Sequence, residues 1–320
     1  MILISYQWKP NELAGPGQPD NKVDPKIEKR VKKLAALLKE NNRKVSFRAP
    51  HCLGYFVDES EDRESRFGLV FEKPASVPPH VVPTTLREWI EAANDPSTGA
   101  TMPSLTDRVT LMRVLAETVE RLHAVDWLHK GLRSANILFF QNGDSEKGGE
   151  QEINWAEPYL SGFDYSRPAT NDDMTERPTD NATADIYRHP TVQSTGNREE
   201  STGRESYKKS FDLYSLGIVL LEIAYWKTID QILNIDLKTA RPKQTWLVKD
   251  RLLSKEKQHL DYVRIHLGNT VQGIISSCLI GPEAFDLPKD CDEKRGVVAA
   301  ALQTAFGDKV VRRLGRMKGL

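Results

Sequence analysis

His129-Lys130-Gly131-Leu132-Arg133-Ser134-Ala135-Asn136 places an imidazole, two cations and a carboxamide in one short run without a carboxylate. Further groups follow at Gly162-Phe163-Asp164 and at Asp212. Gly131 has no side chain, so it can neither accept a proton nor orient a nucleophile. The amide oxygen of Asn136 alone is a poor Mg²⁺ site, because that ion wants near-octahedral oxygen ligands, usually including carboxylate. Arg133 has two readings, a phosphate contact or a surface charge.

The elements that must position these groups can be read from periodicity. Met1 to Lys9 alternates as a strand, with Ile2, Ile4, Tyr6 and Trp8 on one face. A Gly/Pro-rich connector, Ala14 to Pro19, follows. Pro25 sits near the start of a helix to about Lys39, with Ile27, Val31, Leu34 and Leu38 in one stripe. Its Lys26, Lys29, Arg30, Lys32 and Lys33 read as a solvated basic face. Strands are expected at Cys52–Val57 and Phe67–Glu72, joined by the polar Asp58–Arg66 loop.

Pro74 to Pro83 is a proline-rich hinge, and Leu86 to Ala93 a short helix. Thr106 to His123 is the clearest helix, capped by Asp107 or Thr106, with Met112, Leu115, Ala116, Val119 and Leu122 as its apolar stripe. Ile137 to Phe140 is a short strand, and Gln141 to Glu157 a polar surface insertion. Thr170 to Ala184 and Ser194 to Ser210 read as mobile, with Thr170, Thr175, Thr179 and Thr183 as hydroxyls open to phosphorylation. Leu213 to Trp226 is a buried core helix, too short and too acidic at Glu222 for a membrane span. The basic, amphipathic stretch from Lys309 to Lys318 is expected to pack as a terminal helix; a membrane or partner helix is the alternative.

Four motifs in register resemble protein kinases, in particular the kinase-like domains beside fungal HeLo (prion-inhibition-and-propagation) domains. They are Trp127 to Phe140, Leu160 to Pro168, Tyr187-Arg188-His189-Pro190, and Asp212-Leu213-Tyr214-Ser215-Leu216-Gly217. The first has the spacing of the catalytic loop, the second of the D-F-G segment, the third of the A-P-E segment. The resemblance covers roughly residues 1–285. It implies an α+β, two-lobed fold with a reduced N-lobe lacking the Gly-rich-loop strands (1–83, including the hinge) and a mainly helical C-lobe (84–320). His129, Phe163 and Asp212 take the positions of scaffold residues. Asp212 is expected to be buried and to accept backbone N–H groups near His129.

The chemical positions of that family are altered. Gly131 replaces the catalytic Asp, and Gly162 stands where an acid would hold Mg²⁺. Asp164 sits at the far end of its triplet and is expected to be a loop acid whose removal costs little. The Gly-rich loop expected before the lysine strand is not in this sequence, so either the chain is a fragment of a longer protein or the loop is absent. Lys9, with Glu28 as partner, is the candidate for the nucleotide lysine, and Phe71 stands at the gatekeeper position that narrows the adenine pocket. Thr191 replaces the glutamate of A-P-E, and the Cys278-Leu279 region lacks its arginine partner.

The expectation is a catalytically inactive pseudokinase acting through protein–protein interaction or signalling regulation. The rivals are a divergent active kinase using Asp164, Asn136 and Arg133, and a nucleotide-binding switch. No cofactor is expected, with ATP and Mg²⁺ weak at most. Protein partners are expected, including a HeLo domain in cis in a longer protein.

The 45 basic and 45 acidic residues cancel, so no global field favours nucleic acid. Cys52, Cys278 and Cys291 are few and widely spaced, which fits a reduced cytoplasmic protein. His51-Cys52 lacks a second ligand pair, so no metal site is expected there. Neither a signal peptide nor a transmembrane segment is expected.

Overall fold

Ile2–Ser5 (β1), His51–Asp58 (β2) and Arg66–Glu72 (β3) form an antiparallel sheet in the order β1-β3-β2. A computed structural model of the chain describes residues 2–5, 25–41, 47–58, 66–74, 77–78, 80–140, 153–169, 181–193 and 206–317. Ile2 and Cys52 both stand opposite Phe71, on either side of the central strand. Phe67, Leu69 and Phe71 alternate inward from β3, as a strand with one packed face requires. The helix Pro25–Asn41 (α1) lies in sequence between β1 and β2 and buries Ile27, Val31, Leu34 and Leu38 in the same core. Arg30 is also buried, at 1% exposure, so the expected solvated basic face is broken there.

The connector after β3 is tied by Lys73, whose ammonium donates to the carbonyls of Pro78 and Val81 at 2.9 and 2.6 Å. Thr84–Thr85 (β4) then leads into Leu86–Ala93 (α2). Thr85 and Glu88 cap that helix reciprocally: each side chain accepts the other's backbone N–H. Leu105–Ala124 (α3) starts one residue earlier than the sequence expectation, and its cap is Ser104, whose hydroxyl accepts from Asp107 N–H. Asp107 and Thr106 lie inside the first turn instead.

Four short strands follow: Trp127–Leu128 (β5), Ile137–Phe139 (β6), Tyr159–Leu160 (β7) and Arg167–Pro168 (β8). They pair as β4-β6-β7 and as β5-β8. Trp155 packs edge-on against Phe139, Trp226 and Trp89, joining the β6 region to two helices distant in sequence.

Helices dominate thereafter: Ala182–Asp185 (α4), Lys209–Tyr225 (α5), Ile229–Leu233 (α6), Pro242–Trp246 (α7), Val248–Leu253 (α8) and His259–Ile280 (α9). All of α5 but its last residue is buried, and Trp226 ends it in a left-handed cap. Gly217 lets α9 approach closely, since a Cβ there would lie 2.9 Å from the Cβ of Cys278. Gly296–Phe306 (α10) continues through a π-helical turn at Gly307–Val311 into Arg312–Gly315 (α11). Leu302, Phe306, Val310 and Leu314 of this terminal segment are buried in the main core. One apolar cluster runs from Ile27 to Leu314, so both expected subdivisions of the chain share a core. The architecture is α+β with small sheets and many helices. Among the described residues, no helix is long and apolar enough to cross a membrane.

Candidate functional site

Asp212 lies in the first turn of α5, fully buried, and four donors converge on it. The backbone N–H groups of His129 and Lys130 donate at 2.8 and 2.9 Å. The Tyr207 hydroxyl donates at 2.9 Å, and Nε2 of His123, at the end of α3, lies 3.1 Å away. Burial alone pushes this carboxyl up; the hydrogen bond and charge of His123, with His129 and Lys130 N–H, outweigh it and hold it below its ordinary value. Lys130 adopts φ +64°. A left-handed conformation costs a non-glycine residue roughly 1–2 kcal/mol, so Asp212 holds the 129–131 backbone in a shape the chain would not choose unaided.

His129 is buried against Phe163, with ring centroids 4.7 Å apart. Its Nε2 lies 3.1 Å from the Ser161 carbonyl, and Nδ1 accepts from Gly131 N–H at 3.2 Å. The two contacts fix a neutral imidazole with its proton on Nε2. Burial lowers its pKa to about 4, which agrees. This histidine is a packing and positioning group; no substrate proton can reach it.

The two glycines are held by their surroundings. A Cβ on Gly131 would lie 2.7 Å from the Gly162 carbonyl oxygen. A Cβ on Gly162 would overlap the carboxamide of Asn136, and Gly162 has φ +78°. The Asn136 amide donates to the Gly131 carbonyl at 2.6 Å. Its N–H is therefore spent on backbone, and the room an acid at 162 would need is filled.

Asp164 lies in the turn after Phe163, as a loop acid, but its carboxylate is shielded from solvent. It is largely buried, and Oδ1 has no hydrogen-bond partner. Burial raises its pKa to about 6, against the charges of Arg133 and Arg30. Arg30, from α1, donates to the Asp164 carbonyl at 3.4 Å and so ties that helix to this loop. Arg133, one of the two cations in the 129–136 loop, is half-buried; burial lowers its pKa while Asp164 opposes the shift. Its Nε is buried without a partner. Both orphaned atoms belong to residues lining one cavity of about 180 Å³, with Lys130, Asn136, Tyr187 and Arg188. Each such atom costs about 1–3 kcal/mol when left unpaired.

A second polar node supports the cavity floor. Tyr187 donates to Glu222 at 2.6 Å and meets the Ser134 hydroxyl at 2.9 Å. Glu222 also accepts from Ile229 N–H at 2.8 Å. Burial pushes Glu222 up to about 7, against those bonds. Arg188 pairs with Asp185 at 2.7 Å. Beyond it, Lys249 bonds Nε2 of His189 at 3.0 Å and the Ile280 carbonyl at 3.0 Å. This lysine joins the 187–191 segment to the end of α9, and Thr191 meets Nδ1 of the same histidine at 3.0 Å.

The structure thus brings together His129, Gly131, Asn136, Gly162, Phe163, Asp164 and Asp212 from distant parts of the chain. Phe71 is not among them; it is buried in the β3 core and does not line the cavity. Glu28 pairs with Lys32 at 2.6 Å on the surface of α1. Lys9, Thr170, Thr175 and Thr179 lie outside the described residues. Arg30, Tyr187 and Glu222 were missed. Among the described residues, no three His, Cys, Asp or Glu side chains converge as metal ligands.

Fold and site together define an α+β protein whose buried polar loop lines a cationic cavity and which, among the described residues, lacks clustered acids. Residues 55–314 match a family described as a domain of unknown function (DUF7580). That is most of the chain, which belongs to this family. Comparison with curated proteins gives no match.

Proposed function

We propose that the chain is a pseudokinase: a two-lobed, kinase-like domain with a reduced small lobe that acts through protein partners and not by phosphoryl transfer. The strand order β1-β3-β2, with a helix between β1 and β2, favours this reading. So does the anchoring of the 129–130 backbone by Asp212. The observation that carries it is the pair Gly131 and Gly162, each with its Cβ position occupied. Phosphoryl transfer depends on positioning and on metal-borne charge stabilisation. Neither glycine can position a nucleophile or hold Mg²⁺.

The test is incubation of the full chain with γ-labelled ATP, Mg²⁺ and generic protein substrates. No label enters substrate or chain. Incorporation that disappears in Asn136→Ala would instead establish a divergent active kinase. Thermal denaturation with millimolar Mg²⁺–ATP is the companion measurement. A ligand at 100 times its dissociation constant stabilises by about 2.7 kcal/mol, and a shift of that size would point to a nucleotide switch.

A further inference from the structure

We propose that the cavity lined by Arg133 and Asp164 binds the phosphoryl group of a phosphorylated side chain on a protein partner, without metal or nucleotide. The proposal rests on the interaction reading above and gives that interaction its chemistry.

Three observations lead to it. The first is charge. Lys130, Arg133 and Arg188 line the cavity against one carboxylate, Asp164. Arg188 is balanced by Asp185. The Lys130 ammonium lies 5.4 Å from the centroid of the Tyr207 ring. The Arg133 side chain makes no hydrogen bond or ion pair among the described residues, although it feels the charge of Asp164. A forked guanidinium in that state suits phosphate, which it can grip through two parallel bonds.

The second is the pairing of orphans. Arg133 Nε is a buried donor without an acceptor, and Asp164 Oδ1 is a buried acceptor without a donor. They do not satisfy each other. A monoprotonated phosphoryl group serves both, with an anionic oxygen toward Arg133 and its single proton shared with Asp164. Whichever of the two acids holds that proton, one hydrogen bond forms between them. Sulfate has the same shape but no proton to share, so Asp164 repels it. The carboxylate is thus a selectivity element.

The third is space. About 180 Å³ is far more than the ~10–15 Å³ that one water needs. It accommodates a phosphoryl group on a short stem. Exposed Asn181 is among the lining residues, so among the described residues the cavity reaches the surface there, where a partner's side chain would enter. With glycine at 131 and 162, the pocket has no group to move the phosphoryl further. It holds and does not transfer.

The experiment is calorimetric titration of the full chain with four probes: inorganic phosphate, inorganic sulfate, a degenerate phosphoserine peptide library, and its unphosphorylated counterpart. The phosphorylated library binds, the unphosphorylated one does not, and phosphate binds about tenfold or more tighter than sulfate, the difference of one charge-assisted hydrogen bond. Arg133→Gln weakens phosphate and phosphopeptide together by about tenfold or more. Arg133→Lys, which keeps the charge and loses the fork, falls between. Asp164→Asn brings the phosphate and sulfate affinities together. Equal binding of phosphate and sulfate by the wild type would overturn the proposal, as would binding indifferent to both Arg133 variants. Phosphate binding with no gain for the peptides would reassign the cavity to a free anion and overturn the partner. The γ-label assay separates the two readings: label transfer defeats the pseudokinase, whereas absence of both transfer and binding defeats only the pocket.

Discussion

The carboxamide of Asn136 occupies the space that the Cβ of any residue but glycine would need at position 162. The same amide donates to the Gly131 carbonyl, so both altered positions are locked by one side chain.

Restoring the acids is therefore costly and futile. Gly162→Asp must displace Asn136 and hold φ near +78°. Overpacking and left-handed strain together cost roughly 2–5 kcal/mol. Gly131→Asp meets the Gly162 carbonyl and costs about 1–3 kcal/mol. Urea midpoints at unchanged m-value measure both. The expected outcome is two weakened proteins and no gain of phosphoryl transfer; a double variant that transfers phosphate would refute this account.

Asp212→Ala strands four donors at once, including His123 and the N–H groups of His129 and Lys130. Breaking a buried, hydrogen-bonded charge costs about 3–5 kcal/mol. Far-ultraviolet dichroism during chemical denaturation gives the value. A loss below about 1 kcal/mol, roughly the worth of one ordinary hydrogen bond, would mean that the loop keeps its shape without this anchor.

Glu222 gives a pH signature. Its pKa rises from 4.5 to about 7 in the folded chain. A group raised above its unfolded value contributes stability at low pH and loses it as pH rises through the folded value. Glu222→Gln keeps an acceptor for Tyr187 and cannot ionise. Relative to wild type it therefore gains stability between pH 4.5 and 7, by about 3 kcal/mol in the limit. His129 works in the opposite direction: its folded pKa near 4 lies below the ordinary 6.5, so its contribution is lost as pH falls through that window. A Glu222→Gln difference that stays flat with pH would count against a buried, protonated acid.

Asp164→Ala is expected to weaken the fold less than Asp212→Ala. Its side chain makes no hydrogen bond to lose at Oδ1, and its neighbours Arg30 and Arg133 act through charge. Asp164→Asn removes the ionisation and gains on wild type as pH rises from 3.8 to about 6. Parallel urea titrations of both variants at about pH 3 and about pH 8, on either side of that window, test the order and the sign.

Periodicity made much of this legible. The stripes Ile27–Val31–Leu34–Leu38 and Met112–Leu115–Val119–Leu122 sit in the core, and Leu86–Ala93 is a helix over the range its pattern suggests. Motif spacing singled out His129, Phe163 and Asp212, which the fold places in contact. What failed was long-range pairing. Arg30 looks like one more surface cation because its partner, Asp164, is 134 residues away. For the same reason nothing local marked Asp164, which is a loop acid, as shielded by a distant helix. The Tyr187–Glu222 bond spans two segments that share no local pattern. Ser104 was overlooked as a cap because Thr106 and Asp107, two and three residues further on, are residue types that also cap helices.

Leu302, Phe306, Val310 and Leu314 recur every fourth residue. A regular helix turns 3.6 residues per revolution, so each step of four would carry the next side chain about 40° further round, and Leu314 would finish about 120° from Leu302. Yet all four stay buried. The π turn at Gly307–Val311 is wider than an α turn and takes up part of that drift. The terminal helix is thus locally unwound to match the phase of its own apolar repeat, and a change that rewound it would swing Leu314 out of step with the wall it packs on.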